Sequence, residues 1–188
     1  MIAGIVLAGG ASSRFGATKQ TATLRGKPLV QHAIDALADA GIGDIVVVLG
    51  NDAENVAAAL ALPTGARSVA NPRWSEGQAS SLAIGLDAVA GSEAVVVLLA
   101  DQPGVTADHV RALVGAFRAD PAPIVRLRFD DAPGPALLAA GVYADAMALE
   151  GDVGARALIA ARPDDVREVR VAGAAPRDVD TPEDLARA

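Results

Sequence analysis

The sequence predicts a three-layer α/β fold with a mostly parallel sheet. Three continuous aliphatic runs, Ile2–Leu7, Asp44–Leu49 and Ala94–Leu99, are typical of strands covered on both faces. Alanine-rich helical patterns separate these runs along the chain, and such strand–helix alternation gives a sheet between two helical layers. With 188 residues, the chain is expected to form one domain over residues 1–188.

Weaker patterns complete the predicted order of elements. Four shorter runs predict further strands at Arg67–Ala70, Ile124–Arg128, Ala136–Ala140 and Val166–Val171. Apolar residues at helical spacing predict helices at Leu29–Ala40, Asp52–Leu60, Gln78–Val89, Thr106–Phe117 and Gly154–Ala161. Thr181 and Asp184 have the spacing of a capping box and predict a last helix after them. Residues 129–135 are polar and rich in Gly and Pro, which predicts a loop.

Composition narrows the classes of function. Hydrophobic residues make up 52% of the chain and charged residues 21%, which suits a globular fold. The net charge of −7 disfavours DNA or RNA as a partner, because binding phosphate chains requires a basic surface. The chain contains no cysteine, which excludes disulfides and thiolate catalysis, and only two histidines, both within predicted helices.

Location follows from the same composition. No apolar run is long enough to span a bilayer, so we expect no membrane association. The first residues lead directly into Gly9–Gly10 without a basic leader, so we expect a core strand there and not a signal peptide. The expected location is the cytoplasm.

The loop after the first strand resembles a phosphate cradle. Ligands in open α/β sheets bind beyond the carboxyl ends of the strands. Gly9 and Gly10 allow close approach of backbone N–H groups to a ligand, and Arg14 and Lys19 supply two positive charges. The spacing fits neither the P-loop nor the dinucleotide pattern G-x-G-x-x-G. The alternative is a tight glycine turn with exposed basic residues.

Carboxylates follow two other segments. Asp101 stands at the end of the strand Ala94–Leu99, where it could anchor Mg²⁺ together with water and substrate phosphates. Asp178 and Asp180 would point the same way in an extended segment and could complete that site. The alternatives are a turn aspartate before Pro103 and a polar lead-in to the last helix.

The segment from Asn71 to Ser81 opens a helix whose N-terminus suits an anion. We predict nucleotide contacts from four of its residues: Asn71, Gly77, Ser80 and Ser81. The two serines could bind the base or ribose, or could cap the helix. Trp74 could stack on a base or anchor packing.

Taken together, the segments resemble the molybdenum-cofactor nucleotidyltransferase family, especially its cytidylyltransferase branch. The matching pieces, in order, are LAGGASSRFGATKQ, NPRWSEGQASSLAIGL, VVVLLADQPGVT, LEGDVGARAL and DVDTPEDLA. The first motif is more similar to the guanylyl branch, and DQP and GDVGAR to the cytidylyl branch. The resemblance therefore leaves both CTP and GTP open, with CTP favoured.

The resemblance implies a Rossmann-like nucleotidyltransferase fold and a set of site residues. It implies nucleotide contacts from Leu7, Ala8, Gly9 and Gly10, with Arg14 and Lys19 on the phosphates. It implies Mg²⁺ at Asp101, helped by Asp178 or Asp180. It places Gly151–Arg156 near the acceptor, with Asp152 and Arg156 as acceptor-binding residues. The implied partners are an NTP, a small phosphorylated acceptor such as molybdopterin, and a molybdoenzyme that receives the product.

The predicted reaction is in-line attack by an acceptor phosphate on the α-phosphorus of the NTP, with pyrophosphate leaving. Arg14, Lys19 and Asp101 are its candidate catalytic residues. A phosphate nucleophile is already ionised at neutral pH, so no general base is required. Two alternatives stay open. The acceptor could be a sugar phosphate, phospholactate or methylerythritol phosphate, or the protein could be a non-catalytic nucleotide or cofactor chaperone. An oxidoreductase is disfavoured because the dinucleotide fingerprint is absent.

Overall fold

A seven-stranded sheet forms the centre of the protein. The computed structural model describes residues 1–10, 15 and 18–188. The strands are β1 (Ile2–Ala8), β2 (Thr23–Leu24), β3 (Lys27–Pro28), β4 (Ile45–Leu49), β5 (Ala66–Ala70), β6 (Ala94–Leu99), β7 (Ile124–Arg128), β8 (Pro133–Ala139) and β9 (Val166–Arg170). The sheet order is β5-β4-β1-β6-β8-β7-β9, while β2 and β3 form a separate two-stranded ribbon. Strand β8 is antiparallel to both of its neighbours, and the other six strands run in one direction.

Helices cover both faces of this sheet. They are α1 (Leu29–Asp39), α2 (Ala53–Ala59), α3 (Gln78–Ala88), α4 (Ala107–Ala119), α5 (Tyr143–Met147), α6 (Ala155–Ala161) and α7 (Pro182–Arg187). Helices α1, α2 and α4 pack on what we call the α1 face, and α3, α5 and α6 pack on the α3 face. The predicted three-layer, mostly parallel α/β fold is confirmed. Within the described ranges, no helix is both long and apolar enough to cross a membrane.

The core follows from the period-2 alternation of the strands. In β1, Val6 and Ala8 face α1, whereas Ile5 and Leu7 face α3, and every residue of the strand is buried. This is why the sequence of β1 is a continuous aliphatic run and not an alternating one. The same reason applies to β4, which is buried throughout.

Most predicted elements lie within two residues of their observed ends, but three features differ. Strand β8 begins at Pro133, inside the predicted loop, because its pairing with β7 shifts between Arg126 and Arg128 and accommodates residues that are poor strand formers. Helix α5 was not predicted, because its five residues are too few to show a helical period. The two-residue strands β2 and β3 were missed for the same reason of length.

Candidate active site

The candidate site lies where the carboxyl ends of the parallel strands meet, which we call the ligand edge. Strands β1, β4 and β6 end there at Ala8, Leu49 and Leu99. The C-terminal segment returns to this edge, where the Val179 N–H donates to the Asp101 carbonyl oxygen over 2.8 Å. Val179 is 2% exposed, so its buried side chain fixes the two flanking aspartates beside the end of β6.

Lys19 joins the two carboxylates of this region. Its ammonium donates to Asp101 Oδ2 over 2.9 Å and to Asp180 Oδ1 over 3.0 Å. The Lys19 side chain is only 12% exposed, while those of Asp101 and Asp180 are 27% and 33% exposed. Residues from three distant parts of the sequence thus form one partly buried charge cluster. Among the described residues, the cluster contains one ammonium group and two carboxylates.

The protonation state of Lys19 follows from this cluster. Burial alone would lower the pKa of the ammonium, but the charges and hydrogen bonds of Asp101 and Asp180 together raise the pKa above its ordinary value. Lys19 is therefore a permanent cation across the physiological pH range, able to bind phosphate oxygens but unable to act as a base.

The glycine loop is held by the side chain of Gln20. Gln20 is 3% exposed, and its Nε2 donates to the carbonyl oxygens of Ala8 at 3.2 Å and Gly10 at 3.0 Å. The side chains of Leu7 and Ala8 are buried, so any contact of these residues with a nucleotide would be through backbone atoms. The carbonyl of Leu7 already accepts from the Ala100 N–H at 3.1 Å.

Gly9 occupies a position without space for a side chain. A Cβ at Gly9 would lie 2.8 Å from Ser81 Oγ, and a Cβ at Gly50 would lie 2.4 Å from the Gly9 carbonyl oxygen and 2.6 Å from Trp74 Cβ. The ends of β1 and β4 and the segment before α3 therefore pack backbone to backbone at the ligand edge. Trp74 contributes to this packing, while its stacking on a base stays a prediction.

Asn71, Ser80 and Ser81 form a buried hydrogen-bond network. Asn71 Nδ2 donates to Ser80 Oγ at 2.8 Å and to Ser81 Oγ at 3.0 Å. Asn71 Oδ1 accepts from the Arg73 N–H, and the single Ser80 hydroxyl proton can be donated to the carbonyl of Arg73 at 2.9 Å or of Gly77 at 2.8 Å. These polar groups stabilise the turn that precedes α3. Their role as nucleotide ligands stays a prediction, and here they bond to one another.

The predicted acceptor loop packs against the start of α3. Gly77 has φ of +110°, and a Cβ there would lie 2.3 Å from backbone atoms of Gly151. The Ala79 N–H donates to the Gly151 carbonyl at 3.2 Å, and Gly154 lies against the side chain of Gln78. The loop thus brings the exposed Asp152, and Arg156 just beyond it on α6, toward the N-terminus of α3. Acceptor binding by either residue stays a prediction.

Asp178 differs from Asp180 in its contacts. Its exposed carboxylate accepts from Gln102 Nε2 at 2.8 Å, whereas Asp180 contacts Lys19. Although the two are spaced as alternate residues, the segment directs them to different partners. The structure therefore favours Asp180 over Asp178 as the neighbour of Asp101.

A divalent cation fits the acids of this cluster. Asp101 Oδ1 is buried and has no hydrogen-bond partner among the residues that the structure describes, so this carboxylate oxygen is available to a cation. Among the described residues, no three His, Asp or Glu side chains form a ready-made metal cage. Two carboxylates completed by water and substrate phosphates are nevertheless a usual arrangement for Mg²⁺.

A cavity of about 430 Å³ opens beside the N-terminal half of α3. The cavity is lined by Ala79, Ser80 and Ala83 of α3, by Met147–Gly151, and by Arg73 and Glu76.

Both histidines bond to the backbone. His32 Nε2 lies 3.0 Å from the Leu24 carbonyl oxygen, and His109 Nδ1 accepts from the Thr106 N–H at 3.2 Å.

Two site residues escaped the sequence prediction, and one predicted residue cannot be compared. Asp52, with φ of +58°, accepts from Thr18 of the glycine-loop region. The rule that ligands lie after strands could have found Asp52, since it follows β4, and Gln20 is part of the first motif. Arg14 lies outside the described residues, so its place on the phosphates stays a prediction.

Comparisons with known proteins identify the family and the fold of this chain. The family model for the MobA-like NTP transferase domain matches residues 4–166. The match ends before Asp178 and Asp180. A curated relative, nicotine blue oxidoreductase of Paenarthrobacter nicotinovorans, is 32% identical over 170 residues, which cover 86% of this chain and 83% of that protein.

Solved structures share the fold over almost the whole chain. Rv0371c of Mycobacterium tuberculosis H37Rv is 33% identical with a TM-score of 0.87, covering 99% of this chain and 95% of that one. A complex of Rv0371c with manganese has a TM-score of 0.83 at 31% identity, covering 99% and 96%. A nucleotidyl transferase from Methanothermobacter, Mth528, has a TM-score of 0.83 at 25% identity, covering 100% and 95%.

Proposed function

The chain belongs to the MobA-like NTP transferase domain family, and from that premise we propose that it transfers a nucleoside monophosphate from an NTP to a phosphate-bearing acceptor, releasing pyrophosphate. Family membership supports nucleotidyltransferase activity in general. The proposal adds CTP as the favoured donor, with GTP as the alternative, and molybdopterin as the favoured acceptor. We further propose that the reaction takes place in the cytoplasm and that a molybdoenzyme receives the product.

One observation carries the proposal: Lys19, from the glycine-loop region, meets Asp101 and Asp180 at the ligand edge. A triphosphate needs cationic groups for its oxygens, and nucleotidyl transfer needs charge neutralised at the α-phosphorus and at the departing pyrophosphate. The cluster puts an ammonium and two potential metal ligands within direct contact of one another. No general base is required, which agrees with the contacts of both histidines: within the described residues, each bonds to the backbone and neither bonds to Lys19, Asp101 or Asp180.

The reaction consists of one displacement at phosphorus. An acceptor phosphate oxygen forms a bond to the α-phosphorus while the bond from that phosphorus to the bridging oxygen of the β-phosphate breaks. Lys19 exchanges its aspartate partners for phosphate oxygens and stabilises the charge that develops on pyrophosphate. The backbone around Gly9 and Gly10, fixed by Gln20, supplies N–H groups close to the phosphates. Arg14 adds a second cation in this proposal.

A divalent ion, either Mg²⁺ or the Mn²⁺ bound by the mycobacterial relative, would be held by Asp101 and Asp180 and would neutralise negative charge on the triphosphate. The unpartnered Asp101 Oδ1 is the observation that favours this assignment. Asp178 stays a second candidate ligand of this ion. Its carboxylate contacts Gln102, the residue that follows Asp101 in the chain.

The test is a matrix of the four NTPs against molybdopterin, sugar phosphates, phospholactate and methylerythritol phosphate, with pyrophosphate release as the readout. Release with CTP and molybdopterin would support the full proposal. Release with another acceptor would keep the chemistry and replace the substrate. Nucleotide binding without any metal-dependent release would favour the chaperone alternative.

A second candidate function rests on the relative named nicotine blue oxidoreductase. That relative, which is 32% identical to this chain, is named as an oxidoreductase. The dinucleotide fingerprint is absent from the present sequence, so an oxidoreductase function here would have to bind its cofactor in another way. Reduction of nicotine blue by NADH or NADPH, followed anaerobically by its absorbance, tests this function. Dye reduction by the purified protein, unaffected by Asp101→Asn, would favour it over nucleotidyl transfer.

A further inference from the structure

The second half of the ligand edge carries two arginines side by side. Strands β7 and β9 are parallel, and their register makes Arg128 and Arg170 direct partners. Neighbouring strands lie about 4.8 Å apart, so the two guanidinium groups start from adjacent backbone positions. Both side chains are exposed, and within the described residues neither has a hydrogen bond or ion pair.

Alternation in both strands directs these arginines to the α3 face. Leu127 and Phe129 of the β7 segment pack on the α1 face, so Arg128 between them points to the other side. Val169 and Val171 likewise pack on the α1 face, which directs Arg170 to the α3 face. Helix α6, which carries Arg156, packs on this same face through Leu158.

A like-charged pair in register is unfavourable unless something compensates it. The neighbouring acids form no ion pair with these arginines within the described residues: Asp130 accepts from the Gly173 N–H and Asp131 from the Ala175 N–H. Beside the pair, Arg126 is bonded to Glu168, but its buried Nε has no hydrogen-bond partner in the described part of the chain. An anion that bridges two guanidinium groups would compensate the pair with strong, charge-assisted hydrogen bonds.

The register also gives the distance of this pair from the charge cluster. Val97 of β6 is level with Ala136 of β8, which is level with Arg126 of β7. Arg128 therefore lies level with the end of β6, two strands or roughly 10 Å to the side. An attacking phosphate at Asp101 and an anion at Arg128 would be separate groups of one molecule.

We propose that Arg128 and Arg170, assisted by Arg126, bind a second anionic group of the acceptor, remote from the phosphate that attacks the NTP. This inference rests on the proposed function for its substrate, and it defines the acceptor as a molecule with two anionic ends. The second group is a carboxylate, phosphate or other oxyanion, because planar guanidinium groups match such oxygens in pairs.

The first test uses inorganic sulfate and needs no acceptor. Calorimetric titration of the intact protein should show sulfate binding that is at least about 5-fold weaker in Arg128→Gln/Arg170→Gln. The matched control is Arg118→Gln, an exposed arginine at the end of α4, which should bind sulfate as the parent does. Equal binding by the double variant and the parent would overturn the site.

The second test uses the acceptor found by pyrophosphate release. In Arg128→Gln/Arg170→Gln, KM for the acceptor should rise about 10-fold or more, while KM for the NTP stays within about 2-fold. An acceptor analogue without the second anionic group should show no difference between variant and parent. An unchanged acceptor KM would overturn the proposal. If no acceptor gives pyrophosphate, the proposed function has failed, and the sulfate titration still decides this site.

Discussion

At the end of β6, Lys19 lies between Asp101 and Asp180, whereas two and three strands away Arg128 and Arg170 are neighbours that form no ion pair with any described residue. The first cluster satisfies its own cation, so a nucleotide and a metal ion must displace existing contacts. The arginine pair has two like charges next to each other, and an anionic ligand would compensate them. The same edge of the sheet thus carries a cluster whose charges are already paired and, beside it, a pair of like charges that an anion would stabilise.

The largest expected effect concerns Asp101. Asp101→Asn keeps the shape of the side chain but removes its charge, and turnover should fall by about 10³-fold because charge neutralisation at the α-phosphorus is lost. Pyrophosphate release measures this loss, and circular dichroism with thermal unfolding checks the fold. Asp164→Asn, an exposed acid in a turn far along the chain, is the matched control and should retain parental rates. Near-normal turnover in Asp101→Asn would remove the charge cluster from the mechanism.

Asp178 and Asp180 provide a comparison within one segment. Asp180→Asn should lower turnover by about 10²-fold, because Asp180 contacts Lys19 beside Asp101. Asp178→Asn should change turnover by less than about 3-fold, because that carboxylate contacts Gln102. Steady-state rates at saturating NTP distinguish the two, and the reverse order would show that Asp178 is the functional acid.

Gly77 joins the start of α3 to the predicted acceptor loop through its contact with Gly151. Gly77→Ala should lower the free energy of unfolding by about 2 kcal/mol or more, since a Cβ meets backbone there and φ is positive. Urea unfolding measures the change. Gly91→Ala, where a Cβ would have open space, should lie within about 0.5 kcal/mol of the parent. A tolerated Gly77→Ala would mean that the acceptor loop is not fixed to α3.

The smallest expected effect concerns metal affinity. If Lys19 competes with a divalent ion for the same carboxylates, Lys19→Met should bind Mn²⁺ about 10-fold more tightly than the parent when nucleotide is absent. Electron paramagnetic resonance of free Mn²⁺ measures this directly. Lys27→Met, which removes an exposed lysine paired with Asp35, serves as the control and should not change affinity. Weaker Mn²⁺ binding in Lys19→Met would show that the ammonium orients the acids for the ion.

Much of the fold could be predicted, because a strand that is buried on both faces consists of consecutive aliphatic residues and is therefore visible in the sequence. β1 and β4 are buried throughout and β6 in all but its last residue, so their continuous aliphatic runs distinguish them from exposed strands. β8 could not be recognised at Pro133, because the irregular pairing with β7 that accommodates it is a property of the neighbour. The Thr181–Asp184 capping box, a local interaction, was predicted and is confirmed.

For the candidate site, the sequence by itself determined which chemistry was available: a glycine turn with a lysine, an acid after β6 and two acids near the end. Only the tertiary structure decided which of them meet, because the backbone bond from Val179 to Asp101 and the packing of Val179 orient the last segment. The arginine pair was likewise unpredictable, because Arg128 and Arg170 become neighbours only through the register of β7 on β9. Local sequence specifies strands and caps, whereas contacts between distant strand ends depend on sheet order.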